Sequence, residues 1–230
     1  MQHSLGYILR TRPYSDANVI VDLFSKQAGR ITCMARPAKL RGKVQKGHLQ
    51  PFRILQVELQ GRGEMLRLSQ TDERFRHRIP VANLLYGLYL NELILRLIPQ
   101  NTSLDAMYRY YQDALQLLVE SDEPMLVAMR FELALMDGLG HTLNLWHDDQ
   151  DGSALIAGQR YLYSAGSGVL PYDANQPQPA GVLVSSDLLI AMREPAEMTM
   201  SDLQQQRQFL DKFWLQLVSK PFNSRKLLSF

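Results

Sequence analysis

Residues 35–47 read ARPAKLRGKVQKG, with Arg36, Lys39, Arg41, Lys43 and Lys46 and no acid, in a chain whose formal net charge is only +2. Five cations this close repel one another unless an anion repays them. A phosphate backbone is the natural candidate, because each neutralised phosphate releases condensed counterions. The distribution of charge strengthens this reading. Residues 1–78 hold 15 Lys+Arg against 6 Asp+Glu, a surplus of +9; residues 79–200 hold 5 against 15; residues 201–230 hold 5 against 2. A basic first third followed by an acidic middle predicts two regions with different partners.

The cations beyond the dense stretch, from Arg10 to Arg78, are spread over a segment too small to scatter them without forming a positive face. Arg10, Arg12, Arg36, Lys39, Arg41, Lys43, Lys46, Arg62, Arg67, Arg74 and Arg76 are the candidate nucleic-acid contacts. Phe24, Phe52 and Phe75, at the ends of predicted strands, are candidates for base stacking, weighed against plain core packing. A solvated loop is the bland alternative for residues 35–47; the surplus over the whole segment favours nucleic acid.

Catalytic signatures are absent. RGKV at 41–44 lacks the leading Gly and the final hydroxyl of a phosphate-binding loop. AGSGV at 165–169 has no Gly two residues before Ser167, so no nucleophile elbow forms. HDDQDG at 147–152 begins like a calcium loop but reaches Gly158 where a bidentate Glu is needed. His141, His147, Asp148, Asp149 and Asp151 leave an adventitious metal open, with a solvated acidic loop the simpler reading. A metal-dependent hydrolase built on this loop is the competing enzymatic hypothesis, and the expectation is a binding protein with no cofactor. Cys33 is the one cysteine; alternating with Ile31 and Ala35, it reads as a small core residue, and it rules out multi-cysteine zinc sites. No apolar run reaches bilayer length, and the first residues lack the pattern of a secretory leader. Cytoplasmic, nucleoid-associated residence without membrane contact is expected.

The elements that must position the cations are strands. Segments 7–12, 18–24, 30–36, 53–59 and 64–71 are short, rich in β-branched or large apolar residues and separated by turn signals such as PYSDA (13–17), Gly29 and QGRG (60–63). Five such strands predict a small OB-fold barrel over residues 1–79, with the basic stretch between strands 3 and 4. From residue 80 the period turns helical. Helices are predicted over 81–97, 102–121 with Thr102 and Asp105 as a capping box, and 121–140 with Pro124 in its first turn and Gly138 or Gly140 as its stop. Residues 147–182 predict an irregular insertion with one short hairpin near RYLYS (160–164). Residues 185–193 and 201–220 return to helix, each with a serine as N-cap. The fold class is therefore α+β, a five-stranded barrel followed by a mainly helical domain over 80–230.

The succession of segments resembles the bacterial DNA repair protein RecO family. The likeness runs through YILRTRPYSDANVIVDLFSKQAGRITCMARPAK (7–39), LQPFRILQVELQGRGEMLRLSQTDE (49–73), YGLYLNELILRLIP (86–99), RFELALMDGLGHTLNL (130–145) and SKPFNSRKLL (219–228). It implies an OB-fold joined to a helical domain and a non-enzymatic recombination mediator. Such proteins bind single- and double-stranded DNA, anneal complementary strands, engage the acidic C-terminal tail of single-stranded-DNA-binding protein, and with RecR help load RecA. An acidic tail with an apolar end needs a cation beside an apolar groove. Arg130, in an otherwise apolar helix, is the candidate anchor against the alternative of a structural salt bridge, with Lys220, Arg225 and Lys226 as a second rim. Many relatives carry a four-cysteine zinc module after the third helix; residues 145–170 have no cysteine, so zinc does not carry over. An RNA-binding OB-fold adaptor is the alternative function.

Overall fold

The computed structural model describes residues 2–38, 43–61 and 65–228. Five strands, β1 (Gln2–Pro13), β2 (Val19–Ser25), β3 (Gly29–Ala35), β4 (Arg53–Gln60) and β5 (Leu66–Arg76), close into a barrel in the order β1-β2-β3-β5-β4. All neighbours are antiparallel except β3 and β5, where Cys33, Met34 and Ala35 lie opposite Leu66, Arg67 and Leu68. Period-2 alternation fills the interior: β3 and β4 bury every second residue. Ile8, Val21, Leu23, Ile31, Cys33, Leu55, Val57 and Leu68 form the core, and Val44 and Leu49 of the β3–β4 connection join it. Cys33 is thus a core residue, and burial pushes its thiol up to about 12. Gly29, at φ +67, turns β2 into β3 where a Cβ would stand 1.8 Å from the Thr102 carbonyl oxygen, so no side chain fits.

The chain forms two compact units, Met1–Phe131 with Phe222–Ser229 and Glu132–Pro221. In the first, α1 (Leu84–Leu97) and α2 (Asp105–Glu120) pack on the barrel. Tyr7 of β1 and Phe24 of β2 meet Tyr108 and Tyr111 with ring centroids 5.0–5.9 Å apart. Asn91 donates to the Leu9 carbonyl and accepts from the Tyr111 hydroxyl at 2.5 Å. Desolvation raises the pKa of Tyr7, Tyr108 and Tyr111, so these phenols stay neutral in the interface. Residues 222–224 are anchored on α1. Phe222 is buried against Tyr89, the Arg96 guanidinium lies 4.6 Å over its ring, and Glu92 accepts the backbone N–H groups of Asn223 and Ser224.

The third helix, α3 (Pro124–Gly138), begins at its expected proline. It ends in a Schellman motif: Gly140 at φ +82 donates to Asp137 and His141 donates back to Met136. The second unit holds an antiparallel sheet, β7 (Gly168–Pro171), β6 (Arg160–Ser164) and β8 (Val182–Ser185), in that order, with α4 (Ser186–Ala191) and α5 (Met200–Leu217). The expected hairpin is therefore two strands of a three-stranded sheet. Tyr163, Phe209, Phe213 and Trp214 form its aromatic core. Glu132 accepts two bonds from Arg207, at 2.5 and 2.8 Å, and one from Trp214 Nε1 at 2.7 Å, so a fully buried carboxylate is satisfied.

Two expected caps are not the ones used. α2 starts at Asp105 after Leu104, which makes no side-chain cap, so Thr102 lies two residues before the N-cap position. α5 starts one residue before Ser201, with Thr199 and Asp202 making the capping box. Ser185 caps α4 as expected, accepting from Leu188 N.

Candidate nucleic-acid interface

The outer face of the barrel carries cations in register. A row runs Arg12–Ile20–Met34–Arg67 across β1, β2, β3 and β5, and a second runs Arg10–Asp22–Thr32. A register shift in β1 between Ile8 and Arg10 sets the first strand into these rows. The second row is internally compensated. Asp22 accepts from Arg10 Nε and Nη2 at 3.0 and 2.9 Å and from Thr32 Oγ1 at 2.8 Å, with Arg12 Nη2 at 3.4 Å. Arg10 and Arg12 stay half exposed but share one carboxylate, an offset that sequence counting alone did not assign.

The first row ends in a groove of about 510 Å³ lined by Arg36, Pro37, Ala38, Lys43, Val44, Gln60, Arg67, Leu68 and Ser69. Arg36 extends from β3, Arg67 opens β5, and Lys43 is held by the β3–β4 connection, whose Lys43 carbonyl accepts from Thr71 N at 2.8 Å. The three cations are exposed and make no ion pair among the described residues. Glu58 marks the groove's edge: hydrogen bonds from Gln60 and Ser69 hold its carboxyl below the usual carboxylate range. The groove therefore offers three cations, while Gln60 and Ser69 are occupied in holding Glu58.

The remaining candidates scatter. Lys46 is exposed on the turn Lys46–Leu49, Arg74 pairs with Asp72 at 3.1 Å, and Arg76 lies at the far end of β5. Lys39, Arg41 and Arg62 fall outside the described residues. Of the stacking candidates, Phe24 is fully buried and Phe52 is 7% exposed, which removes both; Phe75 remains 48% exposed. Arg130 is exposed on α3 and makes no salt bridge among the described residues. Arg225 and Lys226 follow the Glu92 anchor, where Arg225 donates to the Leu228 carbonyl, while Lys220 belongs to the second unit. Arg130, Arg225 and Lys226 are not among the residues lining the groove at Arg36, Lys43 and Arg67.

The loop at 144–153 is built from hydrogen bonds to its own backbone. Asn144 accepts from Trp146 N and His147 N, Asp148 from Gln150 N and Asp151 N, and Asp149 from Val169 N at 2.7 Å. Its acids point at amides, and no metal-holding group of three His, Cys, Asp or Glu occurs among the described residues.

A closed five-stranded barrel with a cationic outer face, followed by helices, defines an OB-type protein. Comparison with known families refines this. The family models described as recombination protein O N terminal and C terminal match residues 1–73 and 81–226. The DNA repair protein RecO of Vibrio vulnificus is 32% identical over 225 residues, 96% of this chain and 90% of that protein. Its counterpart from Aliivibrio salmonicida is 32% identical with 96% and 92% covered, and that of Pectobacterium atrosepticum is 36% identical over 69% of this chain. The chain belongs to the recombination protein O family. Among the described residues no helix is long and apolar enough to cross a membrane.

Proposed function

We propose that this chain is a DNA-binding mediator of recombinational DNA repair. It binds single- and double-stranded DNA on the barrel, brings complementary strands together, and with RecR assists RecA onto DNA coated by single-stranded-DNA-binding protein. The observation that carries the reading is the groove at Arg36, Lys43 and Arg67, three exposed cations without an ion pair among the described residues and continuous with the Arg12–Ile20–Met34–Arg67 row. Two DNA strands repel each other, and a surface that neutralises phosphates on both lowers that barrier. No catalytic step is assigned to the protein.

The test is charge reversal of Arg36, Lys43 and Arg67 to Glu together, read as single-strand affinity and as annealing rate. Both should collapse with the fold intact; undiminished affinity would remove the groove from the interface. Competition between RNA and single-stranded DNA at fixed salt separates this reading from an RNA adaptor, which a strong RNA preference would favour. The acidic-tail contact through Arg130 belongs to the same proposal: Arg130→Glu should abolish binding of a peptide carrying that tail, and retained affinity would exclude Arg130.

A further inference from the structure

The far end of β5 repeats, in a different form, the elements of a nucleic-acid contact. Phe75 keeps nearly half its surface in solvent, and the His77 ring meets it edge-on at 5.0 Å with planes 80° apart, which fixes the phenyl orientation. Arg76 and Arg78 follow it along the chain. Both are exposed and make no side-chain hydrogen bond or ion pair among the described residues. Arg76 lies opposite Arg53, whose charge is committed to Glu73 and Gln50, while Arg74 is neutralised by Asp72. Beside these two cations opens a cavity of about 570 Å³ with Phe52, Ile79, Leu84 and Leu88 among its walls and Arg76 and Arg78 in its lining.

We propose that this is a second nucleic-acid site, specific for single strands, at which an unpaired base stacks on Phe75 and its flanking phosphates contact Arg76 and Arg78. The inference rests on the nucleic-acid reading of the barrel. Selectivity follows from geometry. A stacked, paired base cannot present its face to Phe75, whereas an unpaired one can. Arg67 and Phe75 are eight residues apart on one strand, at most about 26 Å along it. A strand that reaches both contacts must therefore be several nucleotides long, within the range of about 4–16 nucleotides that an OB-fold covers. Short oligonucleotides engage the groove alone; longer ones engage both.

The experiment measures affinity at fixed salt for an oligothymidine series of about 4 to 20 nucleotides, and for a duplex, with wild type and Phe75→Leu. Leucine keeps apolar bulk and removes the stacking face. Wild-type affinity should rise steeply once the strand spans both contacts. Phe75→Leu should lose about five- to a hundredfold on the long strands, the range for one lost base–aromatic stack, and bind the shortest strands and the duplex as wild type does. The paired change Arg76→Ala with Arg78→Ala provides a second test that does not touch an aromatic contact. It should reduce the long-strand salt slope by about 1.4, two contacts at about 0.7 each. If both variants bind long strands as wild type does, the site is overturned while the groove stands. If wild type binds no nucleic acid at all, the reading of the barrel itself fails. If both variants keep long-strand binding but lose an apolar protein partner, this end of β5 is a protein dock and the proposal is wrong.

Discussion

The barrel and the second unit use arginine in opposite ways. At Arg36 and Arg67 the guanidinium is exposed and without an ion pair among the described residues; at Arg207 it is 3% exposed and bound to Glu132 on both terminal nitrogens. The first arrangement leaves charge repulsion that a polyanion relieves. The second removes both charges from water, which is tolerable only because the two charges meet each other directly. An arginine's environment, rather than its presence, decides whether it serves a ligand or the fold, and Arg10 and Arg12 stand between the two cases because Asp22 holds both.

The largest effect expected from breaking this contrast lies inside the second unit. Glu132→Ala leaves Arg207 buried without its main partner and the Trp214 N–H without an acceptor, so it should cost about 3–5 kcal/mol in urea unfolding. Single-strand affinity of the folded protein should not change. A cost below about 1 kcal/mol would show that water or Asp211 compensates.

Next is the anchor of the C-terminal segment. Burial alone would raise Glu92, but hydrogen bonds from Ser224 and Asn223, with Arg96 nearby, outweigh it and hold the carboxyl below its ordinary range. Its contribution is therefore complete above the unfolded carboxylate value of about 4.3 and is lost as pH falls through the lower folded value. Glu92→Ala should destabilise by about 1–3 kcal/mol at neutral pH and weaken the acid dependence of stability. An unchanged acid profile would remove Glu92 from this role. Asp149→Ala should cost about 1–2 kcal/mol by releasing Val169 N, read by thermal melting.

The smallest effect sharpens the comparison on the barrel side. Glu58→Gln removes the acid described at the groove's edge, and single-strand affinity should rise by up to about fivefold, the scale of an exposed charge. A fall would mean that Glu58 orders the groove through Gln60 and Ser69 rather than opposing its ligand.

Alternation in RITCMAR and RILQVEL made the barrel legible, because a closed sheet must turn every second residue inward. Pro124 likewise announced the start of α3, and Gly138 and Gly140 its end. What stayed hidden was long-range. That Arg12 and Arg67 end one row depends on β3 pairing with β5 in parallel, and that Arg10 is half neutralised depends on β1 facing Asp22; neither shows in local spacing. Phe24 and Phe75 look alike in sequence, both apolar and close to strand ends. Only the packing of α2 over Phe24 separates a core ring from an exposed one. β8 is not legible locally, because VLVS pairs with a strand 18 residues or more before it and has little pattern of its own.

The salt dependence of single-strand binding, compared between wild type and the Arg36→Glu, Lys43→Glu, Arg67→Glu variant, tests the central claim most directly. If the three cations contact phosphates, the slope of log affinity against log salt should fall by about 2, three contacts at about 0.7 each. An identical slope in a folded variant would contradict the assignment of the groove to nucleic acid.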